Sequence, residues 1–274
     1  MSLLMAVIAS VELLTFSPQA PRGLAMFDAL QQALPSTVRV TRTEQYQGRS
    51  DLLCLWGPGA PNRWAAMRAQ VDSSRHFMAM DLAYWQRETK IRVAIDAPHP
   101  QAWVMTKDWP ASRLVSDGIV CADRWDPSGP VIVAGIGPKA KVQYGADRVE
   151  AWELEMIAAC RAQGRVVRYR RKNARGDAPS GVPAADTGTI EANLAGASLV
   201  VTWHSNAAVD AIRMGIPVVC RDGAAAAVCE SVLRERPTPL APDVRDRFLR
   251  NLAWFQWAPA EAGLMFAWLN EALA

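Results

Sequence analysis

Residues 197–219 read ASLVVTWHSNAAVDAIRMGIPVV, and this stretch decides the fold. Leu199, Val200 and Val201 form an apolar run closed by Thr202, the pattern of a buried parallel strand. Trp203, His204, Ser205 and Asn206 then interrupt the run, and Ser205 or Asn206 can cap a following helix. That helix, expected over Ala207–Met214, places Val209, Ile212 and Met214 on its buried side. Gly215 ends it at the C′ position, and Pro217-Val218-Val219 opens the next strand. A strand, a polar turn at a helix N-terminus and a second strand make half of a nucleotide-binding α/β sheet. Free N–H groups and the positive end of the helix dipole make such a turn an anion site.

The same pattern recurs upstream. Val131–Ala134 is a β-run followed by the turn Gly135-Ile136-Gly137-Pro138-Lys139, where Lys139 and Lys141 can approach a phosphate or simply be solvated. Asp147–Gln163 is an amphipathic helix ended by Gly164, and Arg165–Tyr169 is a strand with Arg170, Arg171 and Lys172 at its end. Asn173–Asp186, rich in Gly, Pro, Ala and Asp, reads as a mobile surface loop.

In the first half, Leu3–Ala9 reads as a strand continuing toward Phe16, followed by a helix over Leu24–Leu34. Strands follow at Thr37–Val40 and Leu52–Trp56, then a Gly57-Pro58-Gly59 turn and a helix over Asn62–Val71. Phe77–Met80 and Ile91–Ile95 are further strands, and Val115–Cys121 is expected to be the last of this half. Asp126–Pro130 is the linker candidate. The expected fold class is therefore α/β, with two Rossmann-like domains facing across a cleft. Residues 1–126 form one, 131–250 the other, and the helical tail 251–274 crosses back to the first.

Composition bounds the function. Half of the 274 residues are hydrophobic, enough for a substantial core. The net charge of +3 does not by itself argue for nucleic acid. Arg161, Arg165, Arg168, Arg170, Arg171, Lys172 and Arg175 nonetheless fall in one segment without an acid, suited to phosphate or to a solvated basic face. Five cysteines without a C-x-x-C pattern read as reduced thiols of a cytoplasmic protein. The 3 histidines offer no zinc constellation, and no stretch has the length and apolarity of a membrane span.

The Thr202–Asn206 turn, the acid Asp210 on the following helix and the Gly-Ile-Pro-Val-Val strand resemble the donor half of GT-B glycosyltransferases, nearest their capsule-polysaccharide and sialyltransferase-like branch. The resemblance implies that Thr202, His204, Ser205 and Asn206 hold the donor phosphates and Asp210 the ribose, where many such enzymes carry Glu. It implies that Gly135, Gly137, Lys139, Arg170 and Lys172 complete the donor site. Asp81-Leu-x-Tyr-Trp-x-Arg87 followed by Arg92-Val-x-Ile-x-x-x-His99-Pro100 resembles glycosyltransferase-like proteins of bacteriophages. That implies a hydroxymethylated pyrimidine, 5-hydroxymethylcytosine in phage DNA, as acceptor; the first resemblance alone implies a surface polysaccharide.

Sugar transfer requires stabilisation of the departing phosphate, removal of the acceptor proton and exclusion of water. No cofactor is needed beyond the nucleotide-sugar co-substrate, and no Asp-x-Asp metal motif is present. Asp81 is the first candidate base and His99 the second, although an aspartate at a strand end serves equally well as a helix cap. His204 can instead be a satisfied structural histidine. A different class of function also fits these residues: a catalytically silent protein that keeps a nucleotide-binding shell.

Overall fold

The computed structural model describes residues 8–16, 20–59, 61–137, 141, 143–172, 178–185 and 188–274. The chain forms two compact units, residues 1–100 with 255–274 and residues 101–254.

In the first unit the sheet order is β10-β5-β4-β3-β1-β2. Strands β1 (Ser10–Leu14), β2 (Arg39–Thr43), β3 (Leu52–Trp56) and β4 (His76–Leu82) are parallel. β5 (Ile91–Ile95) runs antiparallel to β4, and β10 (Gln256–Trp257) antiparallel to β5. Helix α1 (Pro21–Ala33) takes Pro21 in its first turn, where the missing N–H costs nothing. Its Gly23 lies flat on the Trp56 ring, 2.8 Å from where a Cβ would stand. Helix α2 (Pro61–Asp72) packs Ala66 and Met67 against Leu53, Leu55, Phe77 and Ala79. The C-terminal helix α8 (Ala262–Leu273) packs against α1.

The second unit repeats the parallel strand order: β7-β6-β8-β9, formed by β6 (Val131–Ala134), β7 (Val167–Arg170), β8 (Leu199–Thr202) and β9 (Val218–Cys220). Alternation along the strands builds two faces. Val131, Val133, Leu199 and Val201 join Val149, Trp152, Met156 and Ile157 of helix α4 (Ala146–Ala162). Ile132 and Val200 join Leu194 of α5 (Ile190–Leu194) and Ala211 of α6 (Ala207–Arg213). A sheet covered by helices on both faces, with the first strand between the second and third, has its topological switch point between β6 and β8.

Several expectations shift. β2 lies at Arg39–Thr43 rather than Thr37–Val40, because its register is fixed by pairing Ser10 with Arg39 and Leu14 with Thr43. The strand expected at Leu3–Ala9 is described only from residue 8 and runs over Ser10–Leu14. Val115–Cys121 is not a strand. Ser112–Ser116 is a short helix, α3, and Gly118 at φ +64° turns the chain beyond it, leaving Val115 and Val120 exposed.

Asp126–Pro130 is not a loose linker either. The Trp125 indole donates to the Ser198 carbonyl, Pro130 O accepts from Ser198 N, and a Cβ on Gly129 would stand 1.8 Å from the Gly196 carbonyl. Residues 101–125 therefore belong with the second unit. Buried Asn251 of helix α7 (Pro242–Ala253) ties them there, accepting from Trp109 N and donating to the Val104 and Lys107 carbonyls. Trp109 also stacks on Trp254 with centroids 5.3 Å apart. Of the loop expected at Asn173–Asp186, the described part is anchored at points: Ala184 bridges to Tyr169 and Val182 and Ala185 are buried, while residues 180, 181, 183 and 184 are exposed.

Candidate functional site

The switch point of the second unit gathers most of the residues singled out by sequence. The Thr202 hydroxyl, at the end of β8, donates to the Ala134 carbonyl at 2.7 Å and accepts from Ser205 N at 3.1 Å. One buried hydroxyl thus clips the β6 and β8 ends together and shapes the turn. Ser205 Oγ accepts from Ala207 N, so the serine, rather than Asn206, satisfies an amide at the start of α6. Gly215, at φ +69°, ends that helix.

Across the switch point, Gly135 is packed against Tyr169; a Cβ there would stand 2.0 Å from the tyrosine hydroxyl oxygen. The Lys172 stem lies over Gly137, its Cδ 3.2 Å from the corresponding position, and the residue is exposed. Arg170 is half-buried at the end of β7, its carbonyl accepting from Gly135 N. Lys139 lies outside the described residues, and Lys141 donates to Glu150 at 2.7 Å. Asp210 is buried on α6, 3.8 Å from Arg213, which also pairs with Glu191 at 2.9 Å.

Sequence reasoning missed the aromatic and acidic support of this turn. Trp203 is buried against the edge of Trp152, and Arg148 and Arg221 each place a guanidinium over its ring, at 5.6 and 5.5 Å. The Tyr144 ring lies 5.2 Å from that of His204. Asp222 accepts from the Tyr144 hydroxyl at 2.6 Å, from the Gln101 amide at 3.0 Å and from Gly223 N at 2.7 Å. Asp222 N donates to the Trp203 carbonyl, tying the turn after β9 to the turn after β8. Gly223, at φ +88°, passes 3.1 Å from the His204 carbonyl when measured from its missing Cβ. The available signal was weak: Arg221-Asp222-Gly223 directly follows a parallel strand.

Beneath Gly135, Glu153 of α4 is buried and accepts from the Tyr169 hydroxyl at 2.8 Å. Burial pushes its pKa above the ordinary 4.5, while Tyr169, Lys141 and the Ile136 amide oppose the rise. The folded state therefore holds a proton that the unfolded chain has already released, and stability falls as pH rises from about 4.5 through the folded value. Glu153→Gln is expected to abolish that slope and to raise the melting temperature toward neutral pH relative to the parent. An unchanged pH–stability curve counts against the assignment.

In the first unit, Asp81 lies one residue before the end of β4, inside the strand and not at a helix start. It has a basic neighbour that sequence spacing did not show. Arg92, its partner in the antiparallel ladder with β5, donates to Oδ2 at 3.1 Å, while Oδ1 accepts from Leu82 N. Arg92 is 5% exposed and also donates to the Tyr84 hydroxyl and to His99 Nδ1. Burial works against its charge, and Tyr84 and Asp81 more than offset that. Because a guanidinium only donates, His99 Nδ1 is the accepting nitrogen, and the ring carries its proton on Nε2. Buried Gln256 of β10 fixes the turn after Asp81 by accepting from Tyr84 N and Trp85 N. The two catalytic candidates are thus linked through one arginine.

Among the described residues no group of three or more His, Cys, Asp or Glu side chains is placed to hold a metal ion, and no helix is long and apolar enough to cross a membrane. No protein-family model and no curated protein matches the sequence. The fold is similar to those of solved structures that include two transferases. Thermosulfurimonas dismutans KpsC, beta Kdo 2,4 transferase, superposes with a TM-score of 0.56 at 11% identity over 97% of this chain and 98% of that one. Thermosulfurimonas dismutans KpsC, beta Kdo 2,7 transferase, gives 0.53 at 10% identity over 95% and 99%. The chain shares with these two transferases a mixed α/β fold built on largely parallel sheets.

Proposed function

We propose that the chain is a glycosyltransferase that moves a sugar from a nucleotide-sugar donor to a hydroxyl of a glycan. The observation that carries this reading is the turn Thr202–Asn206 at the switch point of the second sheet, where open α/β sheets receive ligands. Donor phosphate lies against this turn and the Gly135–Gly137 backbone. His204 and Lys172 contact it, with Arg170 adding charge; Lys139 joins them on the sequence pattern alone. Asp222 acts through Tyr144 to hold the His204 ring. Asp210, engaged with Arg213, is the least supported of the donor contacts.

In transfer, the acceptor oxygen bonds to the anomeric carbon as the bond from that carbon to the donor phosphate oxygen breaks. The acceptor proton goes to Asp81, held by Arg92, and the nucleotide leaves with its phosphate charge met by the turn. A glycan acceptor is favoured over DNA because the similar folds are Kdo transferases. In addition, Arg161 and Arg165 donate to the Gly181 and Glu235 carbonyls, which takes two of the basic side chains away from a strand of phosphates.

Calorimetry with the nucleotide tests the placement. His204→Ala and Lys172→Ala are each expected to weaken binding by about 1.5–3 kcal/mol, the range for a charge-assisted hydrogen bond. Parent-like affinity in both variants removes the site from this turn.

A further inference from the structure

A cavity of about 450 Å³ opens in the first unit where β1 and the edge strand β2 meet residues 44–50. Its floor is Glu12, only 1% exposed, in the middle of the fully buried strand Ser10–Leu14. A carboxylate out of water requires compensating donors or cations. Among the described residues Glu12 receives neutral donors: Gln47 N–H at 2.7 Å on one oxygen and the Ser50 hydroxyl at 3.4 Å on the other. A carboxylate accepts about four hydrogen bonds, so acceptor capacity is left over toward the cavity. Thr41 stands opposite Glu12 in the ladder and lines the same space.

The mouth has the opposite charge. Arg39 and Arg49 line it, and among the described residues neither side chain has a hydrogen bond or ion pair, while Arg42 is held by Asp28 at 2.6 Å. Charged side chains on an edge strand discourage pairing with a foreign sheet, which accounts for Arg39 and Arg42 of β2 but not for Arg49. It does not account for a buried carboxylate beneath them.

We infer that this cavity binds a small anionic polyol. Its phosphate or carboxylate sits between Arg39 and Arg49, and its hydroxyls donate to Glu12 and pair with Thr41. The arginines outnumber the single carboxylate, which selects an anion; their charge also repels an ammonium group, leaving hydroxyls as the donors that Glu12 receives. The volume falls within the range of small-molecule pockets. The site is distinct from the donor turn and stands or falls independently of sugar transfer.

Amide chemical shifts of the full chain, titrated with glycerol 3-phosphate, inorganic phosphate and glycerol, test it. Saturable shifts at Thr41, Gln47, Arg49 and Ser50 are expected with glycerol 3-phosphate, with phosphate at least about tenfold weaker and glycerol without effect. Arg39→Gln with Arg49→Gln should abolish the response. Glu12→Gln should weaken glycerol 3-phosphate about tenfold and leave phosphate unchanged. Thr41→Val, on the exposed edge, serves the same purpose if Glu12→Gln does not fold. Absence of saturable shifts at these amides, phosphate binding as tight as glycerol 3-phosphate, or undiminished binding in the double arginine variant overturns the inference.

Discussion

Gly135→Ala is expected to destabilise the second unit by about 3–5 kcal/mol, combining overpacking with the loss of a buried hydrogen bond. The added methyl would stand 2.0 Å from Tyr169 Oη and 2.5 Å from Cζ, distances that no small adjustment relieves. Tyr169 cannot retreat without breaking its bond to Glu153, and both are buried. Gly137→Ala is the matched control. Its methyl meets the flexible Lys172 stem at 3.2 Å, so a change below about 1 kcal/mol is expected. Thermal and urea unfolding of the two variants measure the difference. Equal stability would show that Tyr169 does not close the floor of the turn.

Asp81→Asn is expected to leave folding and donor affinity intact while lowering the transfer rate by a factor of about 10²–10⁴, the usual contribution of a positioned general base. The amide is nearly isosteric, and its oxygen can still accept from Arg92 or Leu82 N, so the β4–β5 ladder has no reason to change. A fall in kcat with unchanged nucleotide binding identifies a group acting on the acceptor proton. An active Asp81→Asn enzyme would instead make the Asp81–Arg92 pair structural, one of the polar contacts that hold buried Arg92 between the strands.

The parts of the fold legible in the sequence were those with a local cause. Leu52–Trp56, Ile91–Ile95, Val131–Ala134 and Leu199–Thr202 are short apolar runs bounded by polar or turn residues, and they lie where their composition puts them. Gly215 closes a helix because the backbone needs a positive φ there. What could not be read depends on pairing across the fold. Val115–Cys121 has strand-like composition but pairs with no strand among the described residues, and Gly118 takes a turn conformation. The unit boundary escaped because Asn251, far along the chain, captures residues 104–109 with its side chain.

The candidate site divides in the same way. Thr202, Ser205 and Gly135 were visible because a strand–turn–helix pattern marks them. Arg92 was hidden because it meets Asp81 only through an antiparallel ladder, eleven positions away in sequence. Asp222 and Tyr144 were hidden because their support of the His204 turn joins segments 78 residues apart.

The central claim, that the chain transfers sugar from a nucleotide donor bound at the Thr202–Asn206 turn, is tested most directly by nucleotide release. The parent and His204→Ala are incubated with a panel of nucleotide sugars, each with oligosaccharide acceptors and, separately, with DNA containing 5-hydroxymethylcytosine. The expected result is acceptor-dependent release from at least one donor with an oligosaccharide, reduced at least about tenfold in His204→Ala and absent with DNA. Release with DNA alone would redirect the acceptor. Saturable nucleotide binding without release from any donor would contradict transfer and leave a nucleotide-binding protein in its place.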